Sequence, residues 1–227
     1  MCSIMNKISL LYIFLFTVSI ARAQVNDAGL WASVSLEKKI NKQFDIGLSQ
    51  EIRLIENYSE LGSAFTELNL NYKIRVLKGL SFSPSYRFLQ RRNQDNEYSF
   101  RHRLSFDLSY RYKLNKIIFS LRERFQSQVR DVMNGEEGFA PVHYLRSKLS
   151  IKYDLNKKIN PWISTELFYQ LNNGEGNEFD NVRYSAGIDY DFNKHHSISL
   201  FYLINKELNV NNQETDYITG ISYKYSF

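Results

Sequence analysis

The chain is poor in the residues that staple, break or interrupt a fold. Of its 227 residues one is cysteine, Cys2, and three are proline. Cys2 lies upstream of the cleavage point expected below, so the mature chain has no disulfide, thiol catalysis, cysteine metal site or lipoprotein anchor. No Ser/Pro-rich linker marks a domain boundary, and no set of residues recurs at a fixed period as in a solenoid. Long hydrophobic runs are missing too. After Gln24 nothing approaches the roughly 20 apolar residues of a membrane helix, and mean hydropathy is −0.41.

The one apolar run stands at the start. Lys7 precedes Ile8 to Ile20, and Ala21-Arg22-Ala23 supplies the small residues of an A-x-A cleavage site. Residues 1–23 therefore read as a signal peptide, with Met5 as an alternative start. Its core is too short for a stop-transfer helix. Removing 23 residues from 227 leaves 204, and losing Lys7 and Arg22 lowers the formal charge from +5 to +3.

What fills residues 24–227 is alternation. From Leu30 to Phe227 about eleven runs place apolar and polar residues on opposite faces of a strand. Phe44, Ile46, Leu48, Ile52 and Leu54 oppose Asp45, Gly47, Ser49, Glu51 and Arg53. Phe100, His102, Leu104, Phe106, Leu108, Tyr110 and Tyr112 oppose Arg101, Arg103, Ser105, Asp107, Ser109, Arg111 and Lys113. Such runs suit a soluble sandwich or a membrane barrel, and length separates the two. A sandwich carries turn signals about every 8–12 residues, whereas membrane strands need about 9–11 residues at a tilt near 45°. Here strand plus loop repeats at roughly 17–25 residues. The 16 Tyr and 16 Phe often stand at strand ends, where an interfacial girdle places amphipathic rings. Negative hydropathy fits as well, because half of each strand faces a polar lumen.

The expected strands are 30–37, 43–54, 64–76, 80–91, 98–113, 117–127, 143–155, 161–171, 182–192, 197–205 and 215–227. Tight turns at 38–42, 77–79, 114–116, 156–160 and 193–196 alternate with longer segments at 56–63, 92–97, 127–141, 172–181 and 206–214. The expectation is all-β, a single antiparallel up-and-down transmembrane β-barrel of about 10–12 strands in the bacterial outer membrane, with the tight turns periplasmic. Eleven is an unusual count for a single-chain bacterial barrel. Either residues 24–29 extend into a short partner strand, or one element is split or merged.

Several segments carry a family resemblance: Gly29-Leu30-Trp31, Lys38-Lys39-Ile40-Asn41, the run from Phe119 to Gln126, the run from Ser164 to Tyr169, and the run from Arg183 to Tyr190. Together they resemble the bacterial family named domain of unknown function 2490, over nearly the whole mature chain. The resemblance implies an outer-membrane β-barrel and carries no activity with it. The alternating C-terminal run ending at Phe227 is similar to the closing strand of outer-membrane barrels, which implies the barrel-assembly machinery and outer-membrane lipid as partners.

Function is written, if anywhere, in the inward charges. Arg53, Arg87, Arg91, Arg101, Arg103, Arg122, Arg124, Arg146, Lys148 and Arg183 are expected near the outer ends, against Glu51, Glu67, Glu166 and Asp216. Toward the periplasm Lys73, Arg75, Arg111, Lys113, Lys152 and Lys224 are nearly balanced by Asp45, Asp107, Asp154, Asp189 and Asp191. A basic ring in a narrow polar tube favours anions, since low-dielectric walls focus the field. Arg101, Arg103, Arg122, Arg124, Arg146, Glu166 and Arg183 are thus the candidate pore lining for a small anionic solute. The competing reading is a paired network, for instance Arg122 and Arg124 with Glu166, that fills the lumen and conducts nothing. Arginines near the loops also suit lipopolysaccharide phosphates. Glu123 falls on the lipid face with Phe119, Leu121 and Phe125, where a bulge or an interfacial position is the simplest account.

Catalysis has little to stand on. His195-His196-Ser197 belongs to an expected periplasmic turn, His102 faces lipid with Ser99 on the other face, and His143 follows Pro141 with no Ser or Cys at a suggestive spacing. No His/Asp/Glu cluster has ligand spacing, so neither cofactor nor metal is expected. The loops Asn134–Gly138 and Asn173–Glu178 are acidic enough for weak calcium binding but read as solvated. The pI near 9.1 does not imply nucleic acid, because the basic residues alternate with Phe, Leu and Tyr instead of sharing one exposed face. Three classes stay open: a passive anion-preferring pore, a closed structural or loop-binding barrel, and a lipid-modifying enzyme.

Overall fold

In the computed structural model, which describes residues 26–93, 95–130, 141–156, 158–174, 176, 178–210 and 213–227, each alternating run becomes a strand. The expected signal peptide and residues 131–140 of the longest loop, including Asn134–Gly138, lie outside the described residues. The strands are β1 (Asn26–Lys39), β2 (Phe44–Ile55), β3 (Glu60–Lys73), β4 (Leu80–Arg92), β5 (Tyr98–Leu114), β6 (Ile117–Arg130), β7 (Val142–Tyr153), β8 (Ile159–Gln170), β9 (Glu178–Asp191), β10 (His196–Glu207) and β11 (Thr215–Ser226). Consecutive strands pair antiparallel, and β1 closes the ring on β11. That last pairing is parallel and runs unbroken from Asn26↔Thr215 to Glu37↔Ser226. With an odd number of up-and-down strands the first and last run the same way, so closure has to be parallel. Closure removes the open edge whose backbone groups lipid could not satisfy. Asn26–Gly29 therefore lengthen β1 itself and form no partner strand.

The seam puts the start of β1 at the long-loop end. There the Asp27 carboxylate accepts the Glu56 and Asn57 N–H groups, both at 2.9 Å. These hydrogen bonds support Glu56, Asn57 and Tyr58 in left-handed backbone at φ 52, 54 and 71. β3 starts at Glu60, so the expected loop 56–63 shrinks to four residues, 56–59. The chain ends at the other rim, where Phe227 N–H donates to Glu37 O and Ser226 N–H to His195 O, both at 2.8 Å.

Three tight turns at that rim share one device. Asn41 Oδ1 accepts from Gln43 and Phe44, Asn156 Oδ1 from Lys158 and Ile159, and Asn193 Oδ1 from His195 and His196. A short amide side chain here replaces a backbone acceptor and reverses the chain.

The burial pattern is inverted relative to a soluble protein. Leu36, Leu48, Ile52, Leu68, Leu108, Leu149, Ile163, Ile188 and Leu200 are exposed on the outer wall. Stacked rings such as Phe44 on Tyr72 and edge-on pairs such as Tyr225 with Phe227 gather at the short-turn rim, as an interfacial girdle requires. Of the buried apolar side chains among the described residues, Phe65, Leu89, Leu203 and Ile218 point inward with the charges, while Val182 lies on the outer face between Leu167 and Lys206. The core therefore sits inside the tube.

Close approach inside the wall depends on Gly187. A Cβ there would stand 2.7 Å from Leu200 O, 2.8 Å from Phe201 Cβ and 2.8 Å from Trp162 Cζ2. The carbonyl belongs to the paired strand and has no room to retreat. Gly187→Ala is expected to destabilise the barrel by about 1–3 kcal/mol, measured as a lower urea midpoint in vesicles; an unchanged midpoint would mean that the wall is looser than these distances imply.

Candidate functional site

Strand parity sends Trp31, Arg53, Phe65, Arg87, Arg146, Phe168 and Arg183 to the lumen from seven different strands. There they alternate as cation and ring. Arg87 lies 3.6 Å from the centre of Phe65, and Arg53 lies 5.1 Å from Phe65 and 3.7 Å from Trp31. Arg183 stands 5.1 Å from Trp31 and 4.9 Å from Phe168, and Arg146 stands 4.2 Å from Phe168. Each ring face is negative and each guanidinium weakly hydrated, so stacking is favourable where water is scarce. The step from β9 to β1 passes over β10 and β11, which present Leu203, Ile218 and Gly220 at this level. Gly220 is needed there, since a Cβ would lie 1.9 Å from Phe201 Cζ.

Carboxylates brace this belt from beside it. Glu166, 4% exposed, accepts Arg122 Nη2 at 2.5 Å and Arg146 Nε at 3.0 Å, and Arg183 Nη1 lies 3.9 Å away. Arg124 forks onto Asp107 with Nε at 2.6 Å and Nη2 at 2.7 Å. Arg87 pairs with Glu67 and Arg53 with Glu51, each at 2.6 Å. Arg146 also donates to Gln126 Oε1 at 2.9 Å. Bidentate and charge-assisted bonds of this kind fix geometry as well as charge.

Of the expected lining, Arg122, Arg146, Arg183 and Glu166 come together. Arg124 does not join them. Its partner is Asp107, which was expected toward the periplasm and instead sits opposite Arg124 in the β5–β6 register. Asp107 and Arg124 each stand seven residues from the short turn that joins β5 to β6, Leu114↔Ile117, so the two lie at one level along the hairpin and Asp107 belongs to the middle of β5. Arg103 binds Gln128 Oε1 through Nε at 3.0 Å and Nη2 at 2.5 Å. Arg101 reaches Asn93 Oδ1 at 3.4 Å near the rim. Trp31, Phe65 and Phe168 were not anticipated, although each falls on the charged parity of its strand.

The outer mouth is electrically divided. Arg91 and Arg101 lie on β4 and β5; across the ring Asp27, Glu207, Glu214 and Asp216 gather about β10, β11 and β1. In the loop before β11, partial desolvation together with Glu207, Asp216 and Asp27 holds Glu214 above the ordinary carboxylate range.

The histidines find structural partners. His102 Nδ1 meets Tyr86 Oη at 2.7 Å, His195 Nδ1 meets Ser226 O at 2.6 Å, and His196 Nδ1 meets Tyr223 Oη at 2.6 Å. His143 stacks on Phe125 and faces Ser127 in the β6–β7 register, a neighbour that spacing along the chain did not suggest. Its Nδ1 is buried without a hydrogen-bond partner among the described residues. Asn173 donates to Glu178 Oε1 at 2.9 Å in the second acidic loop. Among the described residues no group of three or more His, Cys, Asp or Glu is placed to hold a metal ion.

Comparison with known proteins places this architecture. The β-domain of the Bordetella autotransporter BrkA is 12% identical and superposes with a TM-score of 0.51 over 83% of this chain and 86% of that one. The NanC porin, also 12% identical, gives 0.49 over 78% and 85%. The translocator domain of the autotransporter NalP from Neisseria meningitidis, 10% identical, gives 0.47 over 93% and 92%. No curated protein matches the chain. At these identities the BrkA likeness shows the fold, an outer-membrane β-barrel, and nothing about cargo. Residues 28–216 match the model of a family described as protein of unknown function (DUF2490), and the chain belongs to that family.

Proposed function

We propose that the protein resides in the bacterial outer membrane as a closed barrel, with its lumen serving as a structural core and its outer mouth and loops as the surface offered to partners. The observation that carries this reading is the burial of Glu166 at 4% and Arg146 at 7% exposure inside the belt of stacked arginines and rings. Side chains lining an open aqueous channel would be accessible to water. Phe65, Leu89, Leu203 and Ile218, each 4% exposed, support the same conclusion from the apolar side.

Planar-bilayer recording of the folded mature chain is the direct test. The expected trace is silent, from protein that shifts on a gel when heated and is therefore folded. Stepwise currents of uniform size would overturn the closed reading. One observation then favours an anion-preferring pore: among the described residues Arg53, Arg87, Arg103, Arg122, Arg124, Arg146, Lys148 and Arg183 share the inner face with Glu51, Glu67, Asp107, Glu166 and, in register with Arg183 through Asn205, Asp216. Eight cations against five carboxylates would favour anions under a salt gradient. Assembly through the strand ending at Phe227 belongs to the same proposal.

A further inference from the structure

Among the described residues the arginines in the middle of the lumen each have a carboxylate, with one exception. Arg53, Arg87 and Arg124 are matched by Glu51, Glu67 and Asp107, and Arg122, Arg146 and Arg183 share Glu166. Arg103 has only the neutral Gln128 Oε1, bound through Nε at 3.0 Å and Nη2 at 2.5 Å. In the β4–β5 register it stands directly opposite another cation, Arg87. The charges that weigh most on it are all positive, Arg87, Arg146, Arg53 and Arg124. A guanidinium does not shed its proton, so this excess cannot be neutralised in place. The same two strands carry the basic surface up to the outer mouth, with Arg101 paired to Leu89 and Arg91 to Ser99. Arg103 and Arg101 are half-buried and Arg91 is exposed, so water reaches this wall from the mouth. The charges of Arg91 and Arg103 are both felt at the Tyr144 hydroxyl on β7, which puts them in one space. On the facing wall Asp180 is held by that hydroxyl at 2.6 Å, and the charges that weigh most on it are Glu178 and Glu207.

We propose that Arg103 and Arg91, with Arg101 between them, bind the phosphate group of a soluble phosphomonoester that enters by the outer mouth. A half-buried guanidinium facing other cations is costly unless a counter-charge joins it, and the chain supplies none to Arg103, so the counter-charge comes from a ligand. A planar guanidinium fork matches phosphate and carboxylate oxygens alike. Charge separates the two: several guanidiniums open into one space without an acid between them, which suits a dianion with three free oxygens better than a carboxylate that fills one fork. The side chains face the lumen, so a phosphate on a lipid outside the wall does not reach Arg103. This inference rests on the reading of the outer mouth as the surface offered to partners, and it narrows that surface to the β4–β5 wall.

Titration calorimetry of inorganic phosphate into the folded mature chain in detergent micelles, at an ionic strength held constant with chloride, tests the proposal. Saturable binding is expected. Arg103→Gln and Arg91→Gln should each weaken it about tenfold or more, the loss of one charge-assisted hydrogen bond, while Lys73→Gln at the opposite rim should leave it unchanged. Without phosphate, Arg103→Gln is expected to keep the urea midpoint of the parent chain, because it removes an unmatched charge and its amide still donates to Gln128. A merely structural arginine would lower that midpoint. The proposal is overturned by the absence of saturable heat, by acetate binding as tightly as phosphate, by Arg103→Gln binding phosphate like the parent, by a lower midpoint of that variant in phosphate-free buffer, or by a response to added lipopolysaccharide with none to soluble phosphate. Stepwise bilayer currents together with intact phosphate binding would overturn the closed barrel and leave this site standing.

Discussion

Glu166→Gln is expected to cost the barrel about 3–5 kcal/mol of unfolding free energy, the range for removing one partner of a buried charge pair. Glu166 is the acceptor on which three strands meet, because Arg122 comes from β6, Arg146 from β7 and Arg183 from β9. The amide preserves shape but not charge. Three guanidiniums and Lys148 would then share a low-dielectric space without a counter-charge nearby, since Asp107 is already engaged by both ends of Arg124. Urea unfolding in vesicles measures the effect, and a loss under about 1 kcal/mol would mean that water screens the cluster as at a surface. Relief by repulsion has one route, outward movement of Arg183 or Arg146 from Phe168. The variant is therefore also expected to pass anions intermittently where the parent chain is silent, and an equally silent variant would locate the seal in the rings alone.

The strands were legible because a period of two is local. The run from Tyr98 was expected to end at 113 and ends at Leu114; the run from Ile117 was expected to end at 127 and reaches Arg130. In the barrel His102 and Glu123 lie on the outer face and the arginines of the cluster on the inner face, the sides that alternation along their strands assigns them. Three things were not legible, each for want of long-range information. Nothing in Asn26-Asp27-Ala28-Gly29 alternates, so their place in β1 is known only from pairing with β11 nearly 190 residues away. Strand neighbourhood decides which acid meets which base: β5 sets Asp107 directly opposite Arg124, whereas Glu166 on β8 is separated from β6 by β7. Rings on the charged face were invisible as a group because Trp31, Phe65 and Phe168 come from three different strands, β1, β3 and β8, and meet only through the arginines between them. Glu123 shows a different limit. The sequence exposes the conflict between charge and lipid, but Ser147, 24 positions on, becomes its partner only when β7 folds back onto β6.

Phe65→Ala is the second large effect expected, at about 3–5 kcal/mol, the range for truncating a buried phenylalanine. Phe65 is 4% exposed and serves two arginines at once, with Arg87 on it at 3.6 Å and Arg53 at 5.1 Å. Truncation removes the apolar contact and both stacking surfaces, yet leaves Arg87 bonded to Glu67 and Arg53 to Glu51. Those ion pairs hold the guanidiniums in place, so collapse into the void is opposed and a cavity remains. Substituting leucine restores most of the volume but no ring face, and is expected to recover more than half of the loss. If Leu and Ala prove equally damaging, cation–ring stacking carries the site; if leucine recovers everything, the ring serves only to fill space. Either result tells how the lumen is sealed, because the belt needs Phe65 to join Arg87 on β4 to Arg53 on β2.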